Sequence, residues 1–412
     1  MRWLRACLAV LTVLSLAGCW GQWGANAARH NANPLESTLT ASNVATLSEM
    51  WSTPETVTAV WDDTAYVVID GELRALAVKS GNKEWTSPLP GTEPRGSFSV
   101  QVGPFVTGAG GGEIAVLYAH FYTDEAGEPA VEHAGMRWDR ETGKLVGVLS
   151  TPPAPGPDNI DAVSGAGIVA YETFDRRLEV VSATADTPAP DPGGLPTSKR
   201  LWGATNTRYG VASVIDGGRL VDVGLQTLQS YPVAGCGGPD CRPTWTAELG
   251  SFVTAVTAAN GHVFALSVDN RLTSFDAADG TVEWHATLPA RGQSLAVADG
   301  LLYASGGQAV QAFPLDGCGQ PDCTPKWTAD LPAAAAANLV VAGGVLYAGA
   351  EDATVTAFPA AGCGALGPCP PLATVAVAGS PGSMIVAAGH LFVTYLTSDT
   401  LQVVTQVFGP TI

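Results

Sequence analysis

The sequence predicts an all-β fold, a β-propeller of eight four-stranded blades with seven as the runner-up, on three observations. Short apolar runs of four to six residues alternate with Gly, Asp and Pro turns, the signature of strands of period two. The pattern recurs: Trp202, Trp245, Trp284 and Trp327 follow one another at 43, 39 and 43 residues. The chain has 412 residues, well past the about 250–300 at which a single core stops growing, and repetition is the alternative to splitting into domains. Composition agrees. Forty-eight Gly and 29 Pro exclude a long helical bundle, and 46% hydrophobic residues exclude wholesale disorder.

The repeat is clearest in the C-terminal half. Residues 218–221 lead to 228–232, then Cys236 and Trp245. Residues 300–303 lead to 310–314, then Cys318 and Trp327, at the same spacings. Residues 261–264 lead to 272–276, Gly280 and Trp284, and residues 344–347 lead to 355–359 and Cys363. The N-terminal half is more degenerate. Residues 64–69 with 73–76 form one unit, 114–118 with 136–139 a second, and 167–171 with 178–181 a third. The second carries an insertion near residues 123–132, and residues 389–392 with 401–404 end the chain. Residues 187–196, rich in Pro and Gly, read as a loop between the third and fourth blades, and residues 151–157 as another loop. The alanine run 333–337 follows Pro332 at a first-strand position and reads as non-helical. Residues 40–50 are the best candidate for a short helix, capped by Thr40 or Ser42. The segment 20–33 is expected to add a strand to the last blade, which would hide two sheet edges.

The first residues bear on compartment. Arg2 and Arg5 precede an apolar stretch at 7–16, shorter than the about 20 residues that span a bilayer. Leu16, Ala17, Gly18 and Cys19 follow, and this ending resembles the lipobox of bacterial lipoproteins. The resemblance implies a signal peptide at 1–18, diacylation of Cys19, a lipidated tether at 19–36 and a propeller at 37–412. Two or more acyl chains hold stably at about 0.8 kcal/mol per buried methylene. Loss of residues 1–18 removes Arg2 and Arg5, taking the net charge from −18 to −20. A chain this acidic is no nucleic-acid binder, because phosphate neutralisation needs clustered Lys and Arg. Anionic lipid headgroups would repel it, so the lipid would be the anchor.

Eight cysteines remain to be placed. Cys7 and Cys19 fall in the leader. The other six form close pairs, Cys236/Cys241, Cys318/Cys323 and Cys363/Cys369, in similar Gly-rich loops. Each pair is read as a disulfide closing its own turn in an oxidising compartment, each staple contributing roughly 2 kcal/mol. The rival is a zinc site built from paired cysteines. The pairs recur once per repeat, 82 and 45 residues apart, which a single shared metal does not explain.

Residues 274–284, with Asp276, Gly280 and Trp284, resemble the tryptophan-docking motif of PQQ-type propellers. Residues 75–85 are a second copy, ending in Trp85 and lacking the aspartate. Residues 137–143 are a third, with Gly147 where tryptophan is expected. In three other units a cysteine loop replaces the Thr-Gly turn, and two of these keep the tryptophan, as Trp245 and Trp327. Residues 33–51 also resemble the lead of exported bacterial PQQ-like repeat proteins. The docking residues are thus Trp85, Trp245, Trp284 and Trp327, with a structural role between blades.

The resemblance leaves activity open, because a fold hosts many functions. Relatives that oxidise alcohols or sugars hold PQQ and Ca²⁺ in the funnel, many against a vicinal disulfide. This chain has no adjacent cysteine pair and no assignable Glu/Asn/Asp calcium set. Asp62, Asp63, Asp269, Asn270, Asp276 and Asp279 read as turn residues. The six histidines, His30, His120, His133, His262, His285 and His390, show no metal-binding spacing. The glycine run at 108–112 lacks the Lys-Ser/Thr of a phosphate loop, and no nucleophile elbow occurs. The expectation is a non-enzymatic, lipid-anchored propeller, BamB-like, without cofactor or metal. It would act as a monomeric scaffold or binding module for an envelope protein on the extracytoplasmic face of the cell membrane. The alternatives are a PQQ-dependent dehydrogenase and a small-ligand sensor using the funnel.

Overall fold

The computed structural model describes residues 25–26, 28–69, 71–89, 98–102, 112–123, 129–149, 162–172, 177–187, 197–205, 210–364 and 367–411. They form an eight-bladed β-propeller. Blades one to seven span residues 57–88, 98–149, 162–205, 210–248, 253–287, 292–330 and 340–376, and blade eight combines 381–410 with Leu47–Thr53. Blade five shows the plan. Val253–Ala259, His262–Ser267, Arg271–Asp276 and Val282–Thr287 pair antiparallel in sequence order, from the channel outward. Turns between first and second strands, and between third and fourth, share one end of the propeller, here the clasp face. Turns between second and third strands, and the links between blades, share the other, here the crossover face.

The hydrophobic core lies between blades. Phe264, Leu266 and Trp284 of blade five pack on Leu302 and Phe313 of blade six, with Trp284 and Phe313 stacked at 5.9 Å. A middle strand has a neighbouring blade on both faces, so Leu301–Gly306 and Val345–Ala350 are buried throughout. The outer strand Val282–Thr287 alternates between exposed and buried.

The ring closes differently from the sequence expectation. The outer strand of blade eight is Leu47–Thr53, paired with Val403–Pro410. Residues 20–24 lie outside the described residues, and Ala32–Asn33 pairs instead, in parallel, with the first strand of blade seven. The helix expected at 40–50 is reduced to one 3₁₀ turn, Val44–Thr46, because 47–50 is committed to the closing strand. Of the insertion expected near 123–132, the described residues, Thr123 and 129–132, are strand: Glu113–Thr123 pairs antiparallel with Pro129–Asp139, and 124–128 lie outside the described residues. The Pro/Gly segment 187–196 does not separate blades. It joins Arg177–Thr187 to Thr197–Thr205, the third and fourth strands of blade three, which pair with each other. Residues 333–337 are not helical, and Ala335 bridges Ala350 ahead of the short first strand Val340–Ala342. Blades two and three join into one sheet through Val148 and Thr197 of their outer strands. The leader with Cys19, and the loop 151–157, lie outside the described residues. No helix among those residues is long and apolar enough to cross a membrane.

Candidate functional site

The central channel of the propeller is lined in part by the chain's own N-terminal segment. Within its own blade each first strand pairs on one side only, which leaves backbone groups facing the channel. Residues 28–36 run across these edges as a strap touching five consecutive blades. Arg29 Nε donates to Ser213 O of blade four at 2.8 Å. The Ala28 carbonyl accepts from the Ala258 N–H of blade five at 3.1 Å, and from Thr257 Oγ1 at 2.9 Å. The His30 carbonyl accepts from Val297 N of blade six at 2.7 Å, and the Asn31 carbonyl from Val341 N of blade seven at 2.9 Å. Asn33 Nδ2 donates to Val386 O of blade eight at 3.0 Å. Glu36 finishes the crossing: one carboxylate oxygen accepts from Gly389 N at 2.9 Å, the other from Thr38 N and Leu39 N. Buried edge groups left unpaired would each cost about 1–3 kcal/mol, so the strap satisfies a standing need of the inner strands.

His30 sits inside this crossing. Asn26 Nδ2 donates to its Nδ1 at 3.0 Å, so Nε2 carries the proton and donates to Ala258 O at 2.7 Å. Burial holds its pKa below the ordinary value, and the same holds for His390 on blade eight. The strap crosses near the clasp face. Above it, open toward the crossover face, lies a vestibule of about 270 Å³ lined by Arg29, Asn31, Thr254, Gln293, Ser294 and Asn338 among others. Below it lies a second cavity of about 490 Å³, bordered by Asn26, His30, Glu36 and the turn residues Asn260, Asp299 and Gly343.

The vestibule does not fit PQQ with calcium. Its described lining holds no carboxylate to ligate the ion and no aromatic ring to stack on a quinone. Among the described residues no three His, Cys, Asp or Glu converge as metal ligands. Asp276, the last residue of its strand, and Asp279 in the turn after it bond that turn's backbone: Asp276 Oδ1 accepts from Ala278 N at 2.6 Å, and Asp279 Oδ1 from Thr281 N at 2.9 Å.

The tryptophans form a ring of contacts between blades. Each lies on an outer strand and reaches the next blade, where, in all but Trp327, its indole N–H donates to a loop carbonyl. Trp85 donates to Arg140 O at 3.0 Å, Trp245 to Ala277 O at 2.9 Å and Trp284 to Leu315 O at 3.1 Å. Two further members, Trp51 to Val78 O at 2.7 Å and Trp202 to Val233 O at 3.1 Å, were not among the expected docking residues. Trp327 packs on Gly362, but its N–H has no partner, and Tyr303 OH donates to the neighbouring Ala360 carbonyl. The receiving glycine must be glycine. At Gly317, φ is +78° and a Cβ would lie 2.7 Å from Trp284 Cδ1. At Gly147, where a tryptophan is expected, the space belongs to the buried Arg137 guanidinium, 2.5 Å from an ideal Cβ.

The cysteines pair as Cys236–Cys241, Cys318–Cys323 and Cys363–Cys369. Their loops do more than close turns. The Cys318–Cys323 loop runs along the outer strand of the preceding blade, where His285 N donates to Pro321 O at 2.8 Å and Cys323 N to His285 O at 2.7 Å. The Cys236–Cys241 loop does the same at Gly203, and Cys369 N donates to Thr328 O. Asp240 adds ion pairs to Arg177 at 2.6 Å and Arg200 at 3.6 Å, and Arg177 holds its carboxyl below the usual range. These loops clasp neighbouring blades and cover the outer edges of blades three, five and six, edges that otherwise template association.

Strap, tryptophan ring and clasps define an eight-bladed repeat propeller of the tryptophan-docked class. A family model described as "outer membrane protein assembly factor BamB" matches residues 191–404, just over half of the chain, and the chain belongs to that family. No curated protein matches it in sequence. Among solved structures it is similar to BamB from Moraxella catarrhalis, at 14% identity and TM-score 0.58, over 89% of this chain and 98% of that one. A europium-containing methanol dehydrogenase gives 10% identity and TM-score 0.63, over 95% and 98%. The computationally designed protein Ika8 gives 12% and 0.61, over 88% and 98%. At these identities the likeness concerns fold alone, and it spans BamB, a dehydrogenase and a designed protein.

Proposed function

We propose that the chain is a non-enzymatic, lipid-anchored scaffold of the bacterial cell envelope, held at the membrane through Cys19 and presenting its propeller to a protein partner. The observation that carries the reading is the strap. Residues 28–36 take up channel wall along the inner strands of blades four to eight, through backbone bonds to blades five, six and seven and side-chain bonds to blades four and eight, and the vestibule beside them offers no carboxylate among its described residues. The crossover face meanwhile exposes the adjacent apolar side chains Leu225 and Phe252, where blade four meets blade five, suited to protein contact. The family match supports an envelope role, and the lipobox-like residues 16–19 support the anchor.

The test is a pull-down from native envelope with the acylated protein, against a Cys19→Ala form exported by its own signal. One abundant partner, lost when Phe252 and Leu225 are changed to Ser, supports the scaffold. No partner, together with saturable binding of PQQ, sugar or metal, contradicts it.

A further inference from the structure

The strap fixes where the chain leaves the propeller, and this has a consequence for orientation. We infer that the membrane faces the clasp face, close beneath the channel mouth, and that the crossover face points away from the bilayer and is the side open to a partner. This rests on the lipid-anchor reading of Cys19.

The argument is geometric. Asn26 borders the cavity framed by clasp-face turns, Asn260, Asp299 and Gly343, so the described chain begins on that face, beside the inner strands of blades five to seven. Only six residue steps separate Ala25 from Cys19, a span of at most about 20 Å even fully extended. For the crossover face to meet the membrane, the tether would pass through or around the body. The strand His262–Ser267 alone rises about 20 Å along the axis, and three strand spacings from channel to rim add about 14 Å. The tether cannot cover both. Tilting the body on its rim already uses most of the available length.

Charge does not supply an alternative. Clasp-face turns carry Asp63, Asp279, Asp299, Asp316 and Asp322 alongside Lys79, Arg140, Lys144, Arg242 and Lys326, so the face offers anionic headgroups no basic excess. The body therefore stands off on a short leash, held by tether length and not by affinity of that face for lipid.

The experiment uses the acylated full-length protein, reconstituted into vesicles of phosphatidylethanolamine and phosphatidylglycerol with a trace of rhodamine-labelled phosphatidylethanolamine. A donor dye is placed at Ala278→Cys on the clasp face or Asp269→Cys on the crossover face, both exposed in blade five. Energy transfer is expected to be stronger from position 278, as a height difference of about 20 Å requires. A Gly/Ser insertion of about 40 residues after Trp20, reaching about 35 Å, should erase the difference. Equal transfer from both positions without the insertion, or stronger transfer from 269, overturns the orientation while leaving the anchor intact. A difference that survives the insertion overturns the tether argument. Mass spectrometry of the N-terminal peptide and flotation with vesicles report the anchor separately. A protein that carries no acyl chain and does not float refutes the anchor and the orientation with it.

Discussion

Alanine at Gly317 separates two costs that the structure assigns to one loop. Gly317 and Gly319 flank Cys318, with φ of +78° and +77°. At Gly319 an added Cβ meets nothing within 4 Å, whereas at Gly317 it lies 2.7 Å from Trp284 Cδ1. Gly319→Ala therefore carries the left-handed backbone cost alone, about 1–2 kcal/mol. Gly317→Ala adds overpacking against a buried ring, about 1–3 kcal/mol, for about 2–5 kcal/mol in all. The loss of unfolded-state freedom offsets both variants equally. Urea unfolding of the oxidised protein, followed by tryptophan fluorescence, reads the difference. Equal midpoints for the two variants would refute the claim that the tryptophan seat, and not the turn, demands glycine.

Four other outcomes follow from the same geometry. Trp284→Phe leaves the Leu315 carbonyl without its indole donor and should cost about 1–3 kcal/mol. Trp327→Phe removes an N–H that has no partner, so urea midpoints should rank it the milder change. Replacing Cys318 and Cys323 by Ser should cost roughly 2 kcal/mol and raise hydrogen exchange at the His285 amide, while exchange in blade one stays unchanged. His30 has a depressed folded pKa, so the unfolded state binds more protons as pH falls below the ordinary 6.5. Stability present above 6.5 is then lost toward the folded pKa, and His30→Gln should flatten the decline in melting temperature between neutral and mildly acidic pH.

How much was legible in the sequence differs by element. Outer strands such as Val282–Thr287 face solvent on one side, so their alternation reads directly. The cysteine and Gly-Trp loops are local and recur, which makes the blade count readable. The strap left no such trace. Residues 28–33 have no periodicity, and they bond through backbone carbonyls and Arg and Asn side chains to groups 184 to 353 positions away. Trp51 was missed as a docking residue because its seat, Gly81, belongs to blade one while its strand completes blade eight. A signal existed: Gly235, Gly280, Gly317 and Gly362 each follow their tryptophan by 33 to 35 residues, and Gly81 follows Trp51 by 30. The loop 187–196 was misplaced because Pro and Gly mark a turn without saying whether it lies within a blade or between two.

The most direct test of the central claim is titration of the purified protein with PQQ and Ca²⁺, read as quinone absorbance and as a shift in melting temperature. The account predicts neither a bound-quinone band nor a shift, because the strap takes up part of the channel wall and the vestibule's described lining lacks a carboxylate. Stoichiometric binding followed by dye reduction with an alcohol or sugar would contradict it.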